Sequence, residues 1–123
     1  MNRVALVLNP GNSNISEEIF NFNLGLSSLG YTITVFKDEV PTQDEICFDY
    51  IFVDQLAFSF CGLERAIEIS KNTQANGSSV FLIVSKPLSK SEKNIASQFQ
   101  IKIITKPILP VSLLRKFRGL ERQ

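Results

Sequence analysis

Phe48-Asp49-Tyr50-Ile51-Phe52-Val53-Asp54 decides the fold of this chain. Tyr50 to Val53 form an unbroken apolar run of aromatic and β-branched side chains, closed by a carboxylate. A run without alternation suits a parallel strand covered on both faces rather than a strand with one wet face. The strand delivers Asp54 to its C-terminal edge, and Gly62-Leu63-Glu64 follows as the start of a helix. In an open α/β sheet that edge is where ligands gather, so Asp54 is placed for chemistry.

Outward from this strand, four more short apolar runs appear, at residues 4–8, 32–36, 80–84 and 101–104. All but 32–36 are nearly continuous. Thr32-Ile33-Thr34-Val35-Phe36 alternates, which suits an edge strand. Helical patterns separate the runs. Ile15, Ile19, Phe22, Leu26 and Leu29 make one apolar stripe, with Asn14 and Glu17 as a start signal and Gly30 as a stop. Leu63, Ala66, Ile67 and Ser70 make a second stripe, turned by Asn76-Gly77. Residues 89–99 read as a short polar helix anchored by Ile95 and Phe99. Residues 109–120 read as the last helix, with Pro110 in its first turn and Val111, Leu114 and Phe117 facing inward. Between the second and third strands, residues 37–47 with Pro41 leave room for one helical turn or none. The expectation is an α/β fold: a single doubly wound, five-stranded parallel sheet, flavodoxin-like, in order 2-1-3-4-5, with a truncated or missing second helix. Residues 8–12, 54–57, 85–87 and 105–107 then meet at one edge.

Composition narrows the chemistry. The 123 residues make one domain, 1–123, and 44% apolar content is enough for a core. A net charge of +1 gives no electrostatic case for nucleic acid or for direct membrane contact. No apolar segment approaches the ~20 residues that span a bilayer, and no secretion signal is read, so a cytoplasmic setting is expected. The chain has no His, which excludes a His-based triad. Cys47 and Cys61 form no metal pattern and are read as inert free thiols; no metal site is expected.

At this point the chain resembles the receiver domain of two-component response regulators and hybrid histidine kinases, over its whole length. Residues 49–54 are similar to that family's phosphoacceptor strand, with Asp54 at the phosphoacceptor position. Ser85 falls at the phosphate-contacting switch Ser/Thr. Thr105-Lys106-Pro107 matches the family's Lys-Pro pair, making Lys106 a phosphate contact and Pro107 a cis-proline candidate. The chain also departs from the family. Where receivers carry an acidic pair that holds Mg²⁺, this chain reads Leu8-Asn9-Pro10. Ala57-Phe58 replaces Met-Pro, Cys61 replaces an acid, Lys86 replaces a small residue, and Ile103 replaces the aromatic switch.

On these departures the expectation is a degenerate member, a pseudo-receiver of the kind found in hybrid sensor kinases. It would be a phosphorelay signalling module that acts by protein–protein contact, is not an enzyme, and needs no cofactor. Asp54 and Lys106 would then be a structural ion pair, Lys86 would point to solvent, and Phe58 would plug the pocket. Asn9 to Asn12 would form a turn rather than an anion nest. The expected partners are a histidine kinase or neighbouring domains of a hybrid kinase. The chain is read as a piece of such a kinase, in the cytoplasmic part of a membrane-bound sensor. The alternative is a functional phosphoacceptor using Asp54, with Mg²⁺. A third reading is a small-ligand or flavin-binding flavodoxin-like protein.

Overall fold

The first strand, β1 (Arg3–Leu8), lies near the middle of a single sheet, flanked by β2 (Thr32–Lys37) and β3 (Tyr50–Asp54). Beyond β3 come β4 (Ser79–Val84) and β5 (Lys102–Thr105), giving the order β2-β1-β3-β4-β5 with every pair parallel. This computed structural model describes residues 3–11, 14–39, 48–73, 77–106 and 108–121. The helices are α1 (Ile15–Ser27), α2 (Ala57–Phe60), α3 (Gly62–Thr73), α4 (Lys90–Gln98) and α5 (Pro110–Glu121). Sheet, order and connectivity are those expected from the sequence. The second helix in chain order is short, a single turn, and it follows β3. Residues 40–47, most of the β2–β3 connection, lie outside the described residues, as do Cys47 and Pro107.

Period-two alternation along each strand sends side chains to two cores. On one face Ala5, Val7, Ile51, Val53, Leu82 and Val84 pack under Leu63, Ala66 and Ile69 of α3 and Ala96 of α4. On the other, Val4, Leu6, Leu8, Phe52, Phe81 and Ile83 pack under Phe22 and Leu26 of α1 and Leu113 and Phe117 of α5. The central strands are dry on both faces, which is why their runs show no alternation. Aromatic contacts fill the α1/α5 side: Phe22 meets Phe52 edge-on at 5.1 Å, and Phe52 stacks on Phe81 at 4.8 Å. Among the described residues the edge strand β2 pairs only with β1, and it alternates between exposed and half-buried positions.

Two helix faces differ from expectation. In α5 the buried residues are Leu113 and Phe117, and Val111 is exposed. The face is set where α1 presses close: a Cβ on Gly25 would meet the Pro110 carbonyl at 3.0 Å and Leu113 at 3.2 Å. Residues 110, 113 and 117 therefore share the inner side, and 111 is carried outward. In α4, Ala96 is buried and Ile95 is exposed, because the Ser89–Glu92 capping box fixes where the helix begins and hence its phase. No helix among the described residues is long and apolar enough to cross a membrane.

Candidate functional site

Strand register gathers the chemistry at one edge. Val7 is level with Val53, Asp54 with Ile83, and Val84 with Thr105. The residues leaving β1, β3, β4 and β5 therefore emerge together: Asn9, Asp54, Ser85 and Lys106.

Asp54 is 1% exposed. Its Oδ1 accepts the Leu56 N–H at 2.9 Å, an Asx-type turn that fixes the carboxylate rotamer. Gly62 holds the turn tight. Its N–H donates to the Gln55 carbonyl at 3.1 Å, and a Cβ there would lie 2.2 Å from the Asp54 carbonyl oxygen. Only glycine lets α3 begin this close to the end of β3. Among the described residues Asp54 Oδ2 accepts no hydrogen bond of good geometry. It faces the Lys106 ammonium at 3.1 Å and is compensated by charge.

Lys106 is held from both ends. Its backbone N–H donates to the Val84 carbonyl at 2.8 Å, continuing the β4–β5 ladder by one residue. Its Nζ also lies 2.8 Å from Glu18 Oε1 on α1. Burial disfavours the ammonium, but contacts with Glu18 and Asp54 outweigh it and raise the Lys106 pKa above the ordinary lysine value. Lys106 therefore stays charged at any physiological pH.

The rest of the edge is less committed. Asn9 forms a turn, its Oδ1 accepting the Gly11 N–H at 2.8 Å, while its Nδ2 donates to the Leu56 carbonyl at 3.0 Å. Asn9 thus ties the end of β1 to the loop after Asp54. Leu8 is buried in the core, and Pro10 follows in the turn. Ser85 and Lys86 are exposed. With Gln55, Leu56, Phe60 and Pro87 they bound a cavity of about 340 Å³ beside Asp54. Phe58 is partly buried against the α3-side core with the Arg65 guanidinium over its ring, and Phe60 is 72% exposed. Phe58, Ser59 and Phe60 all adopt left-handed backbone, at φ 56°, 56° and 69°. Cys61 is exposed.

Glu18 is the site residue that sequence reasoning passed over. The sequence marks Glu17 as the first-turn acid of α1. Glu18 stands four residues before buried Phe22, in the same helical row, and that spacing was the available signal.

A hard divalent cation fits this donor set. Mg²⁺ is commonly held by one or two carboxylates with water and phosphate oxygens completing the shell, so it needs no all-protein cage. The described residues offer no group of three or more acidic or His/Cys ligands. They do offer Asp54 Oδ2, a buried carboxylate oxygen with unused acceptor capacity. The expectation that the domain needs no cofactor is corrected on that ground.

Comparison with known proteins bears on the fold. No protein-family model matches the chain, and no curated protein matches it. Solved structures do. A BeF3-activated receiver domain of DrrB superposes with a TM-score of 0.71 at 21% identity, covering 100% of this chain and 99% of that one. The chemotaxis response regulator CheY4 of Vibrio cholerae gives 0.74 at 18% identity, covering 98% of each. The response regulator DrrB of Thermotoga maritima, an OmpR/PhoB homolog, gives 0.68 at 23% identity, covering 99% of this chain and 54% of that one. Within this fold, the expectation of a degenerate site acting only by contact is corrected. A relict carboxylate would be free to lose its aim. Asp54 instead has one oxygen fixed by the Leu56 N–H and the other turned to a fixed ammonium. The expectation that the chain is not an enzyme is corrected with it, since a buried, aimed carboxylate facing an ammonium at 3.1 Å is an arrangement that can serve group-transfer chemistry. In fold, the chain is a receiver-like, doubly wound α/β domain.

Proposed function

We propose that this chain is a phosphoacceptor receiver of a two-component phosphorelay, taking a phosphoryl group on Asp54 from a phosphohistidine of a histidine kinase or phosphotransfer domain. The observation that carries the reading is the Asp54 Oδ2–Lys106 Nζ contact of 3.1 Å, with Oδ2 otherwise without a hydrogen bond among the described residues.

Phosphoryl transfer depends mainly on positioning and on neutralising charge on the phosphoryl oxygens. Asp54 supplies the nucleophile. One carboxylate oxygen bonds to phosphorus as the P–N bond of the phosphohistidine breaks, and the leaving imidazole is protonated from solvent. Lys106 supplies charge to a phosphoryl oxygen from the β5 edge. Ser85, exposed at the end of β4 beside the cavity, supplies a hydroxyl donor. Mg²⁺, held by Asp54, would neutralise phosphoryl charge that one lysine leaves unbalanced. Hydrolysis of the acyl phosphate by water returns the Asp54 carboxylate and inorganic phosphate.

The test is incubation with a small phosphoramidate donor and Mg²⁺, followed by intact-mass measurement. The expected result is a single added phosphoryl group on the wild type and none on Asp54→Asn. A wild type that gains nothing, or an Asp54→Asn variant that gains as much, sinks the proposal. Amide NMR with beryllofluoride, which mimics an aspartyl phosphate, gives a second readout: saturable shifts at Asp54, Ser85 and Lys106.

A further inference from the structure

We infer that the turn through Phe58, Ser59 and Phe60 is a latched lid over the cavity beside Asp54, with Phe60 as its leaf and Asp38 as its latch. As a shield for an acyl phosphate on Asp54, the lid rests on the phosphoacceptor reading above. The first sign is backbone strain without a glycine to relieve it. Phe58, Ser59 and Phe60 stand in left-handed backbone one after another, at φ 56°, 56° and 69°. Residues with a Cβ visit that region singly, and a bulky aromatic there is an outlier. A run of them persists only where surrounding contacts over-determine it, and such strain gathers at clamps and switches.

The holding contacts come from outside the turn. Asp38, just past β2, donates its own N–H to the Leu8 carbonyl at 3.1 Å and accepts the Phe58 N–H on Oδ1 at 2.7 Å. A carboxylate acceptor makes that bond charge-assisted and short. It is also exposed, so water competes for both partners. Phe58 packs against the α3-side core under the Arg65 guanidinium. Phe60 is left out. At 72% it is the most exposed large apolar side chain among the described residues, and it stands at the lip of the cavity that Leu56, Ser85, Lys86 and Pro87 also line. Swinging the ring inward over Leu56 and Pro87 takes apolar surface out of water and lets the backbone leave the left-handed region. Both effects favour closing; the Asp38–Phe58 bond and the Phe58 packing oppose it. The open turn is one state of a two-state element. Asp54 biases it from the other end, because its Oδ1 accepts the Leu56 N–H at 2.9 Å where the turn begins. Phosphorylation on Oδ2 converts Oδ1 from a carboxylate oxygen to the carbonyl oxygen of an acyl phosphate, a weaker acceptor, and loosens the turn at its root. Closed, the Phe60 ring stands between bulk water and the Ser85 side of Asp54, and water attack on the acyl phosphate slows.

The chain has no Trp, so Phe60→Trp puts a single fluorophore of that kind on the lid. The experiment reads its acrylamide quenching and emission maximum with Asp38 intact, with Asp38→Ala and with Ser59→Gly. Asp38→Ala removes the latch, whereas Ser59→Gly makes the open turn cheap where it stands. The expected result is strong quenching with Asp38 intact, a severalfold loss of quenching and a blue shift with Asp38→Ala, and quenching undiminished with Ser59→Gly. Chymotrypsin cleavage after Phe60, in the chain without the reporter, should slow severalfold in Asp38→Ala. Quenching or cleavage that stays level or rises in Asp38→Ala means that Asp38 only braces the turn, and overturns the inference. In protein shown by mass to carry a phosphoryl group on Asp54, quenching should fall toward the Asp38→Ala level, and Phe60→Ala should shorten the life of the acyl phosphate severalfold; no change in either overturns the shield. The two readings fail separately. Closure on loss of Asp38 in a protein that takes up no phosphoryl group defeats only the phosphoacceptor. Phosphorylation of Asp54 with quenching indifferent to Asp38 defeats only the lid.

Discussion

Replacing Lys106 by Met leaves Asp54 as a buried carboxylate whose Oδ2 has neither a hydrogen bond nor a countercharge. Asp54 is 1% exposed and the Lys106 side chain 19%. Removing one partner of a buried ion pair costs about 3–5 kcal/mol, because the remaining charge is stranded. Lys106 reaches the surface, so water gains partial access once it is gone, and the lower end, about 3 kcal/mol, is expected. Glu18 loses the same partner, but it lies on the wall of an open cavity and can hydrate. The converse change is milder: Asp54→Asn removes the buried charge and leaves Lys106 with Glu18, for a cost within about 1 kcal/mol. Urea unfolding at neutral pH reads both. With a slope of about 2 kcal/mol/M, Lys106→Met should lower the midpoint by about 1.5 M, and adding Asp54→Asn should restore about two-thirds of the loss. A Lys106→Met loss below about 1 kcal/mol, as for an exposed pair, or a double variant no better than the single, would refute the reasoning.

The same pair gives a pH dependence. The folded pKa of Lys106 is raised, so the stabilisation is fully present below the ordinary lysine value of 10.5 and is lost as pH rises through the higher folded value. The gap between wild type and Lys106→Met in urea midpoint should be constant near neutrality and close only in strong alkali. Gly62→Ala should destabilise by about 3 kcal/mol or more, because its Cβ meets backbone that cannot swing aside; a melting temperature within a degree or two of wild type would contradict this. Ser59→Gly should stabilise by about 1 kcal/mol by relieving a left-handed φ of 56°, measured by thermal or urea unfolding. Ser89→Ala, which removes the acceptor for the Glu92 N–H, should cost about 1 kcal/mol by the same assays.

The sheet was legible because its signal is local and repeated. Each buried strand carries the same unbroken apolar run, and the number of runs and the spacers between them leave few topologies. Helix phase was harder to read. Val111 and Leu113 are both apolar, and only the close approach of Gly25 to Pro110 decides which turns inward. The left-handed run through Phe58, Ser59 and Phe60 had no signal at all, since two aromatics and a serine are poor candidates for positive φ. The run lies between Asp54 and the tight Gly62 turn at the start of α3, where the chain has few residues in which to reverse.

The site divides in the same way. Asp54, Ser85 and Lys106 stand at strand ends, so once the strands are found the parallel register carries all three to one edge. The reading of the site as degenerate rested on departures at the strand ends and the loops after them: Leu8-Asn9-Pro10 without a carboxylate, then Ala57-Phe58, Cys61, Lys86 and Ile103. A site at a sheet edge is also open to the first turns of the helices above it. Glu18 reaches it from α1, and its approach depends on how far the helix is set over the sheet by Phe22 and Leu26. Sequence distance gives no hint of that contact, because residues 18 and 106 lie at opposite ends of the chain. An acid missing from one strand end therefore does not by itself empty the edge of negative charge, because the helices set over that edge bring charge of their own, as Glu18 does 2.8 Å from Lys106.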